Sequence, residues 1–448
     1  MRDTVASASA AVGALRDLGA SGRADLLRGI AAELDDARAA LVAAAHEETH
    51  LTEARLDGEV TRTAGQARLF ADILDEGDYL GRIADGNALR RVLVPLGVVA
   101  VFGASNFPFA FGVPGGDTVS ALAAGCPVVV KAHPGHPRTS MLAFEAIRRA
   151  IATAGLPEGA VGIVSGFDDG ARLVTDPGVA AVGFTGSTAG GRALFDLAAS
   201  RPVPIPFFGE LGSVNPVLIS PGAARQRATA LANALADSVV GTTGQLCTKP
   251  NLVLVPGDAP ELVAALRSRF AEAGRTELLN DGIAQRFDAS LGEWRDRRGA
   301  RVLVASTAGN PGARSAELVH LDPADDLGDF DEAFGPATAL LSYTDLADAA
   351  DRIAGLPGQL TVSVFAEDDE FTALRPVVAA AERIAGRVVF DQVPTGVAVT
   401  RSMTHGGPYP ATTAPGSTSV GGAAIQRWLR PVTYQNVPDE LLPRELID

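Results

Sequence analysis

From residue 97 onward, short β-branched apolar runs alternate with stretches of helical spacing, and this alternation restricts the fold more than any other feature of the chain. The first runs are Gly97-Val98-Val99-Ala100-Val101-Phe102, Pro127-Val128-Val129-Val130, Val161-Gly162-Ile163-Val164 and Val179-Ala180-Ala181-Val182-Gly183-Phe184. Segments such as Ser140 to Ala154 separate them. Strands that are apolar on both faces and spaced by helices form βαβ units, because parallel neighbours need a crossover and the crossover covers the sheet. Ligands of such sheets sit at the carboxyl ends of the strands. After Glu210 a second series starts, with strands expected over Val214 to Ile219, Leu252 to Val255, Ala339 to Tyr343, Thr361 to Phe365 and Val388 to Phe390. Helices are expected over 21–50, Ala223 to Val240 and Pro260 to Ala273. The last 50 residues, rich in Gly, Pro, Thr and Ser, read as an irregular tail that must pack on the body or on a neighbour.

Length and charge narrow the function. A chain of 448 residues holds two or three domains. With a net charge of −15 and no basic run it is a poor partner for nucleic acid or an anionic membrane. Val92 to Gly116 is uncharged and long enough to span a bilayer, yet Pro95, Pro108, Pro114 and several glycines prevent one continuous helix. The first residues lack the apolar core of a signal peptide, and two cysteines make no disulfide scaffold. The expected compartment is the cytoplasm.

Several residues can carry chemistry. Cys247 lies in Gly244-Gln245-Leu246-Cys247 and reads either as a nucleophile on a glycine-rich loop or as a small buried hydrophobe. Cys126, against Pro127 at the start of a buried strand, reads as core. Glu210 ends an apolar strand; there it is a general base whose pKa partial burial raises, or a cap or ion-paired group. Asn106, just past a strand, is an oxyanion donor or a turn former. Lys131 ends a strand where a ribose or phosphate could bind, and Ser187 or Thr188 opens a helix whose N-terminus attracts phosphate or is merely capped. No GxGxxG follows a strand, and none of the six histidines has metal-ligand spacing, so no metal is expected.

Taken together and in order, these segments resemble the aldehyde dehydrogenase superfamily over nearly the whole chain. Asn106-Phe107-Pro108 is similar to the oxyanion motif, and Glu210-Leu211-Gly212 with Asn215-Pro216 to the general-base motif. Gly244-Gln245-Leu246-Cys247 is similar to the nucleophile motif, and Glu332-Ala333-Phe334-Gly335-Pro336 to the one whose Glu holds the nicotinamide ribose and whose Phe packs on the nicotinamide. Lys131-Ala132-His133-Pro134 and Phe184-Thr185-Gly186-Ser187 match cofactor segments. The resemblance implies catalytic Cys247, Glu210 and Asn106, and cofactor contacts from Lys131, His133, Phe184, Thr185, Gly186, Ser187, Leu211, Glu332 and Phe334. It implies a Rossmann-like parallel-sheet cofactor domain over 1–209 with an oligomerisation hairpin near 80–97. A second α/β catalytic domain over 210–400 and a C-terminal segment over 401–448 complete the α/β architecture.

A subgroup resemblance is closer still. His405-Gly406-Gly407-Pro408-Tyr409-Pro410 and Arg430-Pro431-Val432-Thr433-Tyr434-Gln435-Asn436 resemble α-ketoglutarate semialdehyde dehydrogenases and the related NADP-dependent fatty aldehyde dehydrogenases. This implies oxidation of a small aldehyde with NADP or NAD through a cysteine thioester, in a homodimer or homotetramer. Rival readings are a CoA-acylating enzyme, which would not need the base, and a cofactor-binding protein without turnover. Three departures stand out. Pro134 replaces the glutamate that binds the ribose 2′-hydroxyl in NAD-using members, which removes repulsion toward a 2′-phosphate and makes NADP acceptable, though Pro134 supplies no donor of its own. The family usually has several dozen residues before the first helix, so an exposed sheet edge or a misassigned start is expected. Leu246 and Lys249-Pro250-Asn251 differ from the subgroup's commoner residues, which is expected to alter substrate fit.

Overall fold

The computed structural model describes residues 1–86, 88–309 and 312–446. Four helices come first: α1 (Arg2–Asp17), α2 (Gly19–Asp36), α3 (Arg38–Thr49) and α4 (Glu53–Glu76). The single helix expected over 21–50 is two, parted at Ala37. Asp35 and Asp36 fall in the last turn of α2, where the helix dipole disfavours carboxylates, and Arg38 and Arg68 each hold Asp35 at 2.6 Å. α4 has the end signals of a long helix: the Thr52 hydroxyl accepts from the Arg55 N–H, and Gly77 closes it at φ 78°.

The first sheet then builds up. After the hairpin of β1 (Ile83–Asp85) and β2 (Leu89–Pro95) come β3 (Val98–Phe102), α5 (Gly116–Ala124), β4 (Val128–Lys131), α6 (Pro137–Thr153) and β5 (Val161–Val164). α7 (Phe167–Thr175), β6 (Val179–Thr185), α8 (Thr188–Ala199) and β7 (Phe207–Glu210) follow. The strands lie in the order β5-β4-β3-β6-β7, all parallel, so the chain reverses its direction of winding between β3 and β6. A crevice opens at such a reversal beyond the carboxyl ends of the strands.

The second sheet has seven strands. β8 (Val217–Ile219), α9 (Pro221–Val240), β9 (Leu252–Pro256), β11 (Arg301–Val304) and β13 (Glu317–Leu321) come first, while the short β10 (Thr276–Glu277) and β12 (Ala313–Arg314) pair apart as a two-stranded sheet. β14 (Ala337–Tyr343), β15 (Gln359–Phe365) and β16 (Ala385–Phe390) complete it in the order β11-β13-β14-β9-β8-β15-β16, with only β11 antiparallel to its neighbour. The strand expected from Val214 starts three residues later. The backbone N–H groups of Val214 and Asn215 donate to Gln359 Oε1 instead of a ladder, and Asn215 takes φ 49°.

The C-terminal segment binds the two sheets together. Gly358 N–H donates to Tyr409 O, and residues 411–413 pair with Gly209, Glu210 and Leu211 along the otherwise free edge of β7. Trp428 is fully buried, with Nε1 donating to Ser120 Oγ at 2.8 Å and its ring edge-on to Phe208. Arg427 beside it pairs with Asp117 in the interior. β17 (Leu429–Gln435) then joins β2 in a sheet ordered β1-β2-β17. Among the described residues no helix is long and apolar enough to cross a membrane. Replacing Trp428 with Ala removes this anchor and is expected to cost about 3 to 5 kcal/mol in guanidinium unfolding; a loss below about 1 kcal/mol would show that the segment is held elsewhere.

Candidate active site

The two sheets present opposite ends to the crevice. From the first sheet come carboxyl-end groups: Asn106 beyond β3, Lys131 at the end of β4, Phe184 and Thr185 at the end of β6, and Glu210 at the end of β7. From the second come amino-end groups: Asn215 before β8, Cys247 before β9, Glu332 and Phe334 before β14, and Gln359 at the start of β15. The residues singled out therefore lie at carboxyl ends in one sheet and at amino ends in the other. Cys247 does not follow a strand; it follows α9 and precedes β9.

The loop bearing Cys247 is shaped by its neighbours. After α9, Thr242 and Thr243 take positive φ and Gly244 follows at φ 65°. A Cβ on Gly244 would stand 2.2 Å from the carbonyl oxygen of Gly335, so only glycine lets this loop lie against the segment bearing Glu332 and Phe334. Asn215 Nδ2 donates to the carbonyls of Cys247 at 2.8 Å and Lys249 at 3.0 Å. The Glu210–Asn215 stretch thus delivers the acid and also braces the loop of the thiol.

Three side chains meet there. Cys247 Sγ lies 3.4 Å from His405 Nε2, and His405 Nε2 lies 2.7 Å from Glu210 Oε1. The Ser419 hydroxyl donates to Glu210 Oε2. Burial pushes the Cys247 thiol well above its ordinary value, and the Glu210 carboxylate adds to the rise. Glu210 moves the other way from the sequence expectation. Burial alone raises it, but charge and hydrogen bonding from His405, with the Ser419 hydroxyl, hold it below the usual carboxylate range. Asn106, also buried, donates through Nδ2 to Gln245 O at 3.0 Å, two residues before the thiol.

The Asn106 turn is itself held from α4. Arg55 donates to Asn106 O at 2.6 Å, while Glu59 Oε1 accepts the N–H groups of Phe109 at 2.8 Å and Ala110 at 3.0 Å. Arg55 pairs with the same Glu59 at 3.3 Å. Neither residue was anticipated. Their signal was the placement of charges at 55, 59 and 62 on one helix face that otherwise buries Leu56, Val60 and Thr63.

The remaining expected residues divide into two groups. Lys131 is half-buried with Nζ 5.7 Å from the Phe167 ring. His133 stacks on His136 at 5.3 Å, and burial pulls it down to about 3, so it is neutral. Gly186 N–H donates to Glu210 O, and Ser187 caps α8 by accepting from Gly190 N–H at 3.3 Å. Leu211 is buried, with its N–H on Ala411 O. Opposite them, Glu332 lies close enough to Gly212 that a Cβ there would stand 2.8 Å from its Oε1. Burial pushes Glu332 up to about 8, helped by Asp331. Only the Ser213 N–H and the Lys249 charge offset that burial, the carboxylate can accept further donors, and ribose hydroxyls are donors, so the residues fit a nicotinamide ribose. Phe334 is half-buried in the same segment.

Lys249 was noted only as a departure. It is fully buried and donates to Asn251 Oδ1 at 2.5 Å, Ala333 O at 2.8 Å and Ala337 O at 2.6 Å, fastening the Glu332–Phe334 segment to the loop of Cys247. The chemical role of His405, noted only within a subgroup motif, and Ser419 altogether escaped notice because no spacing rule links them to residues more than 150 positions away. Glu210, Cys247 and His405 bring possible ligand atoms within 4.8 Å of one another, a grouping the search for metal-ligand spacing did not reveal. The Cys247–His405 hydrogen bond and the His405–Glu210 ion contact already account for it.

Residues 1–284 match the model of the aldehyde dehydrogenase family. The chain belongs to that family. It is 42% identical to α-ketoglutaric semialdehyde dehydrogenase 2 of Azospirillum brasilense, over 95% of this chain and 84% of the relative. It is 40% identical to α-ketoglutaric semialdehyde dehydrogenase of Acinetobacter baylyi over the same shares. Its fold is that of glyceraldehyde-3-phosphate dehydrogenase GapN from Methanocaldococcus jannaschii complexed with NADP. That match has TM-score 0.81 and 18% identity and covers 96% of this chain and 92% of that one. The Thermus 1-pyrroline-5-carboxylate dehydrogenase with bound NAD matches at TM-score 0.82 and 19% identity, over 96% and 84%. The chain is an NAD(P)-dependent aldehyde dehydrogenase.

Two expectations follow for this aldehyde dehydrogenase. With its thiol raised partly by Glu210, the rate of Cys247 alkylation by iodoacetamide at pH 7 increases in Glu210→Gln; an unchanged or slower rate would contradict the charge coupling. Burial pulls Lys249 from its ordinary 10.5 down to about 7, so between these values the unfolded chain binds more protons and stability rises with pH. Relative to Lys249→Met, the wild type gains up to about 1.4 kcal/mol per pH unit between pH 7 and 9. Parallel stability curves in urea would refute the assignment.

Proposed function

We propose that this aldehyde dehydrogenase oxidises α-ketoglutarate semialdehyde, or an aldehyde much like it, with Cys247 as nucleophile and Glu210 as general base. The observation that carries the reading is the contact chain from the Cys247 thiol through His405 to the buried Glu210 carboxylate. The two relatives at 40% and 42% identity, each named for that semialdehyde, supply the substrate.

NAD(P), when bound, supplies the acceptor for the hydride. Lys131, the Phe184–Ser187 turn and the α8 N-terminus would hold its phosphate and ribose end, with Glu332 and Phe334 at the nicotinamide. The chain's own residues do the rest. The thiol proton passes to the Glu210–His405 pair as sulfur bonds to the aldehyde carbon. The Asn106 amide steadies the oxyanion, a contact of the kind worth about 3 to 4 kcal/mol in the barrier. Loss of hydride from that carbon leaves a thioester on Cys247. Once Glu210 has released its proton to solvent, it takes another from the water that attacks the thioester. The thiolate leaves and the acid is free. His405 keeps Glu210 ionised for this second step.

NADP is the favoured cofactor in this reading. Pro134 offers no carboxylate against a 2′-phosphate, and Arg286 carries positive charge toward His133 in the same turn. A homodimer or homotetramer suits the outer strand β16, where Val388 and Phe390 are exposed. The cytoplasm is the proposed compartment. A role as a CoA-acylating enzyme is disfavoured by the base already in contact with the thiol partner.

The test is a panel of aldehydes with both cofactors, including α-ketoglutarate semialdehyde and a long-chain aldehyde. We expect the semialdehyde with NADP to give the highest kcat/KM, Cys247→Ala to lose at least about a thousandfold while still binding cofactor, and Glu210→Gln to release one equivalent of reduced cofactor and stall. Near-wild-type steady turnover in Glu210→Gln would remove Glu210 from the base role.

A further inference from the structure

The molecule holds two half-buried arginines, each with a shielded and unpartnered guanidinium nitrogen, that the chemistry above does not use. Arg62 projects from α4, on the face that also carries Arg55 and Glu59. The Glu59 carboxylate is already engaged by Arg55 and by the N–H groups of Phe109 and Ala110. Arg62 therefore has no carboxylate partner among the described residues. Its Nη2 donates to Val397 O at 3.3 Å, whereas Nη1 is shielded from solvent and has no partner. Arg387, on β16, donates to carbonyls of the same segment. It donates to Pro394 O at 2.5 Å and Gly396 O at 3.0 Å, while its buried Nε has no partner.

The position of Arg62 relative to the thiol follows from the aromatic rings between them. Its guanidinium carbon lies 5.5 Å from the centre of the Phe111 ring and 6.0 Å from that of Phe107. Phe111 lies 6.4 Å from the His405 ring, and His405 touches the thiol. Phe107 directly follows Asn106. One phenyl ring thus separates a cation from the reacting centre. Burial lowers the pKa of both arginines, while Cys247 acts on each, and Glu59 and Glu210 on Arg62, as the opposing negative charges. A buried guanidinium with an unspent N–H is costly until an anion supplies the missing acceptor. A planar carboxylate matches that fork better than any neutral group.

We propose that Arg62, with Arg387 bound to the same 394–397 segment, anchors a carboxylate at the far end of the substrate and makes this site selective for aldehydes that carry an anion. The inference rests on the reading of Cys247 as the nucleophile. It adds the residues that choose the substrate: one end of the molecule is fixed at the thiol, the other at the guanidinium, with Phe107 and Phe111 against the methylenes between.

The experiment compares kcat/KM for succinate semialdehyde and for butanal, a neutral aldehyde of the same chain length, in four proteins. The wild type is expected to prefer the anion by about 10- to 100-fold, the range of a hydrogen bond to a charged group. Arg62→Met brings that preference within about threefold, and Arg62→Lys, which keeps charge but loses the planar fork, falls between. Arg68→Met, altered at an exposed arginine that shares α4 with Arg62 but pairs with Asp35 of α2, keeps the wild-type ratio. An undiminished preference in both Arg62 variants, or none in the wild type while butanal is oxidised, overturns the anchor and leaves the reading of Cys247 intact. Failure of the wild type on every aldehyde overturns that reading itself. Should Arg62→Met fold poorly by circular dichroism, the Arg62→Lys ratio decides alone.

Discussion

The carboxylate of Glu210 is almost wholly removed from water, and the structure around it is arranged to keep it charged there. Burying an ionised group is expensive unless neighbours replace its hydration, and losing one partner of such a pair costs about 3 to 5 kcal/mol. His405 and Ser419 serve as those neighbours. Both reach the site on the C-terminal segment, whose residues 411–413 also cover the edge of the strand that carries Glu210. The tail is therefore part of the electrostatics of the site as well as of its packing. Burial first, and then the Glu210 carboxylate that these contacts keep ionised, hold the neighbouring thiol high, so in the resting site the proton stays on sulfur and the carboxylate stays free of one.

Convergence depends on the opposed ends of the two sheets. Parallel strands of the first sheet deliver turns beyond their carboxyl ends, and the second sheet contributes loops that lead into its strands. Each loop is cross-braced by polar side chains: Glu59 and Arg55 hold the Asn106 turn, Asn215 holds the loop of Cys247, and Lys249 holds the segment of Glu332 and Phe334. Buried polar groups that satisfy one another in this way fix geometry more sharply than apolar packing does. Gly244 contributes by its lack of a side chain, letting two backbones touch.

Much of this was legible in the sequence because it is local. β-branched runs between helical stretches marked the strands of the first sheet and five of the seven in the second, missing β11 and β13, and Asn106, Glu210 and Cys247 stood out from their own neighbours. What was not legible is long-range. The break at Ala37, the late start of β8 and the orientation of the second sheet depend on partners such as Arg68 and Gln359. His405 was visible only as part of a motif with no chemical role, since its partners lie at positions 210 and 247. The pKa of Glu210 was misjudged for the same reason: burial could be read from an apolar strand, but the compensating imidazole could not. Arg62 looks like one more charge on a helix until the consumption of Glu59 by other groups leaves it without a partner.

The central claim is that the thiol at position 247 carries the substrate as a thioester. Mixing the enzyme with α-ketoglutarate semialdehyde and NADP, quenching in acid within milliseconds and mapping the peptides by mass spectrometry tests it directly. The account predicts an acyl adduct, two hydrogens lighter than the added aldehyde, on the peptide of Cys247 and released by hydroxylamine. An adduct on another residue, or product formed with Cys247 unmodified at every quench time, would contradict it.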